Sequence, residues 1–141
     1  MAGNIEGIKD MTVLPVTLAA AAAAAVLNIW LVLRVGQIRT GAKISIGDGG
    51  NEQLVRRMRA HANFTENAPF VLLLIGAIEL SGRGSPWLAF VAVAFILARI
   101  SHALGMESGD GPPTRLIGVI VTMLVQLGLA IVAALVAAGV F

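Results

Sequence analysis

Long apolar stretches joined by short polar ones dominate the chain. From Met11 to Leu33 no charge interrupts an apolar run that contains the alanine block Ala19–Ala25. Leu116–Phe141 is a second uncharged run, and Pro86–Met106 a third, broken only near its end by Arg99 and His102. A helix needs about 20 predominantly apolar residues to cross about 30 Å of hydrocarbon, and each of these stretches qualifies. The fourth stretch differs: between Glu66 and Glu79 lie only twelve uncharged residues, Asn67–Ile78, too few to cross alone.

A longer helix resolves this. Gly47-Asp48-Gly49-Gly50 reads as a turn, and Asn51 before Glu52 suits a helix start. From there to Leu80 is roughly 30 residues, or about 45 Å at 1.5 Å per residue. Counting back about 20 residues from Ile78 puts the membrane boundary near Arg59, so the polar half of this helix lies at and just beneath one surface. Pro69 removes one helical hydrogen bond and is expected to kink the helix there. Ser85-Pro86 can cap and open the next helix, with Trp87 at interfacial depth. Pro112-Pro113-Thr114 ends the following loop. The expected architecture is all-α and integral to the membrane: one domain over 1–141, with helices at about 11–37, 51–80, 86–106 and 114–141.

Composition agrees. Of 141 residues 57% are hydrophobic and 13% charged, against about 45–50% and about 25% in soluble domains. There is no Cys and no Tyr, and only two His. Disulfides, thiolate metal sites, a cysteine nucleophile and phenol acid chemistry are thereby excluded, and a metal centre loses support. A net charge of +2 is too small to point to nucleic acid. The side holding the first and third loops carries Arg34, Arg39, Lys43, Arg56, Arg57, Arg59, Arg99 and Arg115, leaving Lys9 and Arg83 opposite. Positive residues collect on the cytoplasmic side, so both termini are expected to face outward. The first span is too long, and its lone Lys9 too weakly positive, for a cleaved leader.

The second helix carries a polar stripe. At about 100° per residue, Arg56, Arg59, Asn63 and Glu66 fall near 0°, 300°, 340° and 280°, while Arg57 and His61 point elsewhere. A headgroup-facing role suits Arg56 and Arg57. It fits Asn63 and Glu66 poorly, because polar groups near hydrocarbon usually pair inside a bundle. An Arg59–Glu66 pair is the simplest structural explanation, although two turns separate them. Other polar groups in the spans are few: Asn28, Gln126, Arg99 and His102. One four-helix unit has little interior to hide them, which argues for an oligomer enclosing them at its subunit boundary. Arg115 opens the last helix, where the macrodipole disfavours a cation and favours an anion. Guanidiniums, a carboxylate and an amide beside a greasy wall suit a polar anion together with an apolar molecule from the bilayer.

Arg59-Ala60-His61-Ala62-Asn63-Phe64-Thr65-Glu66, followed by Pro69-Phe70, resembles the helix-2 signature of the MAPEG family, membrane-associated proteins of eicosanoid and glutathione metabolism. Gly36-Gln37-Ile38-Arg39 is similar to its helix-1 exit, Arg99-Ile100-Ser101-His102 to its helix-3 motif, and Pro113-Thr114-Arg115 to its helix-4 start. Ile46-Gly47-Asp48-Gly49-Gly50 resembles bacterial members. The likeness covers about residues 11–141.

The resemblance implies a homotrimer of four-helix subunits in a bacterial inner membrane, with glutathione bound between neighbours on the cytosolic side. By position, Arg39, Arg59, Asn63, Glu66 and His102 would bind the tripeptide, Arg115 would activate its thiol, and no metal is called for. Arginines suit its carboxylates, Glu66 suits its ammonium or an amide N–H, and Asn63 can donate and accept. Many eicosanoid-type members carry tyrosines after the helix-3 His and early in helix 4, and a second arginine where Ala62 stands. Their absence implies a specificity other than prostaglandin or leukotriene synthesis. The implied activity is a glutathione transferase, or a peroxidase, acting on hydrophobic electrophiles from the bilayer in detoxification. The alternatives are a non-catalytic membrane binding or scaffold protein and a small four-helix multidrug transporter. A transporter would want its carboxylate at mid-membrane facing a central cavity, whereas Glu66 lies toward one edge.

Overall fold

The computed structural model describes residues 13–84, 86–108 and 113–140. They form four helices in sequence: α1 (Pro15–Ala42), α2 (Glu52–Ile78), α3 (Pro86–Glu107) and α4 (Pro113–Ala137). All four are long and apolar enough to cross a membrane, and there is no strand among the described residues. The protein is an all-helical integral membrane protein.

Local chemistry sets the helix ends. Pro15 opens α1, where its missing N–H costs nothing. The helix continues to Ala42 rather than stopping near Gln37, and Lys43, with φ of 56°, closes it by donating its N–H to the Arg39 and Thr40 carbonyls. The loop that follows turns on Gly47, Gly49 and Gly50, all at positive φ. Asp48 accepts from the Gly50 N–H at 3.0 Å, and Asn51 caps α2 by accepting from Leu54 N at 2.9 Å. α2 runs through Pro69 as one helix. Beyond Ile78 the chain passes through a wider helical turn at Glu79–Arg83, kinked where Gly82 takes a φ of 78°. The expected start near Met11, the Ser85 cap and Phe141 lie outside the described residues.

Each packed face is a stripe at helical spacing. α1 buries Ala20, Ala24, Leu27 and Leu31, and α2 buries Ala60, Phe64, Ala68, Val71, Ile75 and Ile78. These i, i+4, i+7 series match heptad-like seams, the geometry in which neighbouring helices interdigitate at small crossing angles. Leu88, Ala92 and Phe95 of α3 and Leu129 of α4 complete the core. α4 leaves most of its length uncovered: Leu116, Ile120, Met123, Leu124, Leu127 and Ile131 are all exposed. Such a surface belongs against lipid tails or another protein.

The closest helix contact is between α3 and α4. A Cβ on Gly118 would lie 2.6 Å from the Ala98 carbonyl, and one on Gly105 would lie 2.5 Å from Arg115 N. Only glycine fits at either position, and the two hold the start of α4 against the end of α3. This up-and-down arrangement gathers the end of α1, the start of α2, the end of α3 and the start of α4 at one end of the bundle, the arginine-rich end.

Opposite, Glu79 clasps the start of α1. Its carboxylate accepts from Val16 N at 2.9 Å, Thr17 N at 2.7 Å and Thr17 Oγ1 at 2.6 Å. An acid supplied by another helix thus satisfies the free N–H groups of a helix start, where the macrodipole favours negative charge.

Candidate functional site

Arg99 stands at the centre of the arginine-rich end. It projects from α3 into the bundle and is only 2% exposed. Its Nη1 donates to Asn63 Oδ1 on α2, and its Nη2 donates to the Gly118 carbonyl on α4 at 2.8 Å. Thr122 Oγ1 donates to that same carbonyl at 2.8 Å. Arg99 Nε has no hydrogen-bond partner, and no carboxylate pairs with the guanidinium among the described residues. A buried cation in an apolar span is expensive, and such groups face a bundle interior or a polar cavity.

His102, one turn on, is buried beside it, with its Nδ1 3.4 Å from the Arg115 carbonyl. Ser101 Oγ donates to the Thr114 carbonyl at 3.0 Å. The first turn of α4 is therefore fixed through its backbone while the Arg115 side chain stays exposed. Arg99 thus ties Asn63 to Gly118 of α4, and His102 separately meets the backbone of Arg115.

The other site residues fall differently. Arg59 and Glu66 lie on the exposed side of α2, with half-buried Asn63 between them. They form no ion pair with each other among the described residues, so the simple Arg59–Glu66 explanation of the stripe does not hold. Arg39 is set apart: its Nη1 reaches the Ser45 carbonyl at 3.5 Å and its Nη2 Met58 Sδ at 3.4 Å. Met58 projects about 100° around α2 from Arg59. Within one chain, Arg39 does not join the stripe.

A second cluster ties three helices together. Glu107, at the end of α3, pairs with both Arg34 of α1 and Arg57 of α2. Arg57 Nη1 also donates to the Arg34 carbonyl at 2.6 Å and to Gln37 Oε1 at 3.3 Å. The Arg34 guanidinium lies 4.3 Å over the Trp30 ring, a cation–π contact. Arg57 is thus a bundle residue rather than a headgroup anchor. Arg56 faces outward and pairs with Glu52 at 3.2 Å. The reason for the difference is angular, since adjacent helix residues point about 100° apart. Closer to mid-span, His61 Nε2 donates to Asn28 Oδ1 at 2.9 Å, each polar group of the apolar wall satisfying the other.

The Arg99 and Glu107 roles were not visible from spacing alone. The available signal was that Arg99 interrupts an apolar run and so demands a buried partner. No group of three His, Cys, Asp or Glu residues able to hold a metal occurs among the described residues. The arrangement can instead fix an anion: Arg59 and Arg115 present accessible guanidiniums, and Asn63 presents an oriented amide.

Search of curated proteins returns no match. The MAPEG family profile, by contrast, matches residues 17–135, which takes in the greater part of all four helices and every polar group just described. With its four apolar helices and its R-x-x-x-N-x-x-E stripe on α2, the chain belongs to the MAPEG family.

Proposed function

We infer that this protein is a membrane-embedded glutathione transferase that activates the thiol of glutathione for attack on hydrophobic electrophiles. The observation that carries the reading is the family match together with one rim bearing Arg59, Asn63, Glu66 and Arg115 beside apolar, uncovered helix faces. The site faces the cytoplasm of a bacterial inner membrane, because eight of ten basic residues lie on that side. The active form is a homotrimer. Arg59 and Glu66 at the edge of the hydrocarbon need a cover that one chain does not provide, and Arg39, displaced toward Met58, would serve the site of an adjoining copy.

Arg59 and Arg39 hold carboxylates of the tripeptide, Glu66 takes its ammonium and Asn63 lines the wall. His102, buried in the bundle, supports the start of α4 from behind rather than making the ligand contact expected of it. A thiol with a pKa of about 8.5 is only about 3% ionised at pH 7. Arg115 near the sulfur favours the thiolate, and its N-terminal place on α4 adds the positive end of the helix dipole. With an aryl halide the proton leaves to solvent, the sulfur–carbon bond forms and halide departs with the bonding pair. A lipid hydroperoxide would be reduced by the same thiolate, with a second glutathione closing the disulfide.

Replacing Arg115 by Met tests the mechanism. The rising, acid-side limb of the rate–pH profile should move to higher pH, with turnover at pH 7 falling roughly tenfold for each unit of lost thiolate stabilisation. An unchanged profile would remove Arg115 from this role. Saturable glutathione binding with no turnover of any aryl halide would instead favour the binding-protein reading, to which the absence of tyrosine lends weight.

A further inference from the structure

Arg99 is buried away from any open surface, yet its guanidinium bridges α2 and α4 from within the bundle. It is 2% exposed, holds Asn63 Oδ1 with one terminal nitrogen and the Gly118 carbonyl with the other, and leaves Nε unpaired. A charge buried this deeply is retained at a cost. A leucine or methionine would fill the volume without that cost, so the guanidinium has work that an apolar residue cannot do.

Its effect on Asn63 follows from donor and acceptor inventory. An amide offers one carbonyl oxygen and two N–H donors, while a guanidinium offers donors only. Whatever atom of Asn63 meets Arg99 must therefore be the oxygen, and the side chain has one orientation rather than two. Its Nδ2 then points away from α3, and no described residue accepts a hydrogen bond from it. The free half of Asn63 lies between Arg59 and Glu66 along the half-exposed face of α2.

We propose that Arg99 is a positioning residue that makes Asn63 a donor-only amide, so that the ligand group docking there is a hydrogen-bond acceptor, a carboxylate or peptide carbonyl, and not an ammonium or amide N–H. The inference rests on the glutathione reading for the ligand's identity, but the orientation of Asn63 stands apart from it. It also narrows the sequence-based expectation that Asn63 both donates and accepts. The Gly118 contact gives Arg99 a second task, since the same guanidinium ties the α2 stripe to the first turns of α4 that carry Arg115.

The test uses Asn63→Asp and Asn63→Leu in the full chain, reconstituted in nanodiscs. Aspartate keeps an oxygen toward Arg99 and removes both N–H donors, whereas leucine removes the oxygen as well. Without ligand, Asn63→Asp should melt at or above the parent temperature and Asn63→Leu well below it. With glutathione in the calorimeter, Asn63→Asp should weaken binding at least tenfold despite its intact fold. A purely structural Asn63 would leave affinity in step with stability. Asn63→Asp binding within twofold of the parent would overturn the proposal, and so would Asn63→Asp melting as low as Asn63→Leu. If the parent chain binds no glutathione, the reading of function falls. The melts alone then decide the Arg99–Asn63 arrangement by the same criterion.

Discussion

Gly118 and Gly105 show how much a single hydrogen atom decides at the residue scale. A Cβ at Gly118 would meet the Ala98 carbonyl at 2.6 Å and His102 Cβ at 2.7 Å, with backbone rather than a flexible side chain as the first obstacle. Gly118→Ala should therefore push α4 off α3 and disturb the Gly118 carbonyl that Arg99 and Thr122 share. Overpacking of this kind costs about 1–3 kcal/mol, and thermal melting in detergent would register it. Retention of the parent melting temperature would show that the helices have slack there. Some of this scale was legible in the sequence. Asn51 announced its cap, whereas Arg99, expected with the other polar span residues to be enclosed at a subunit boundary, is instead buried inside one bundle. Which partner it takes was not legible, because Asn63 and Gly118 belong to other helices and nothing local couples them.

At the scale of elements, the helices owe their number and order to apolar length, and that much is plain from the residues alone. Their faces were hidden. In a membrane helix the side toward lipid is as apolar as the side toward the core, so Ala19–Ala25 gives no sign that Ala20 and Ala24 are the buried members. The wider, kinked turn at Glu79–Arg83 was equally opaque, since Gly82-Arg83-Gly84 reads as ordinary loop. Yet this turn accompanies the one acid that caps α1 from across the bundle. Glu79→Gln keeps the shape and weakens charge-assisted acceptance by both oxygens. It should destabilise the bundle by about 1.5–3 kcal/mol, the usual worth of a hydrogen bond to a charged group, and it should speed amide exchange at Val16 and Thr17. Exchange at those two amides no faster than in the parent would dismiss the clasp. Glu107 plays the corresponding part at the other end. Glu107→Gln leaves Arg34 and Arg57 close together without their shared carboxylate, so its melting temperature should fall further as ionic strength is lowered.

The whole molecule divides into two ends with different tasks. One is a clasp between α1 and α2. The other concentrates guanidiniums around a buried Arg99, exposes Arg59, Glu66 and Arg115, and abuts the uncovered flank of α4. A solitary subunit in lipid leaves Glu66 at the hydrocarbon edge, and association of copies would enclose it. The account stands or falls on what lies against that stripe in the assembled protein. The most direct measurement is an electron cryomicroscopy map of the nanodisc-embedded protein with glutathione added. It should resolve three subunits, with tripeptide density in each cleft touching Arg59, Asn63 and Glu66 of one copy and Arg39 of the next. A map of single four-helix subunits, with those side chains spread among lipid headgroups and no added density, would contradict it.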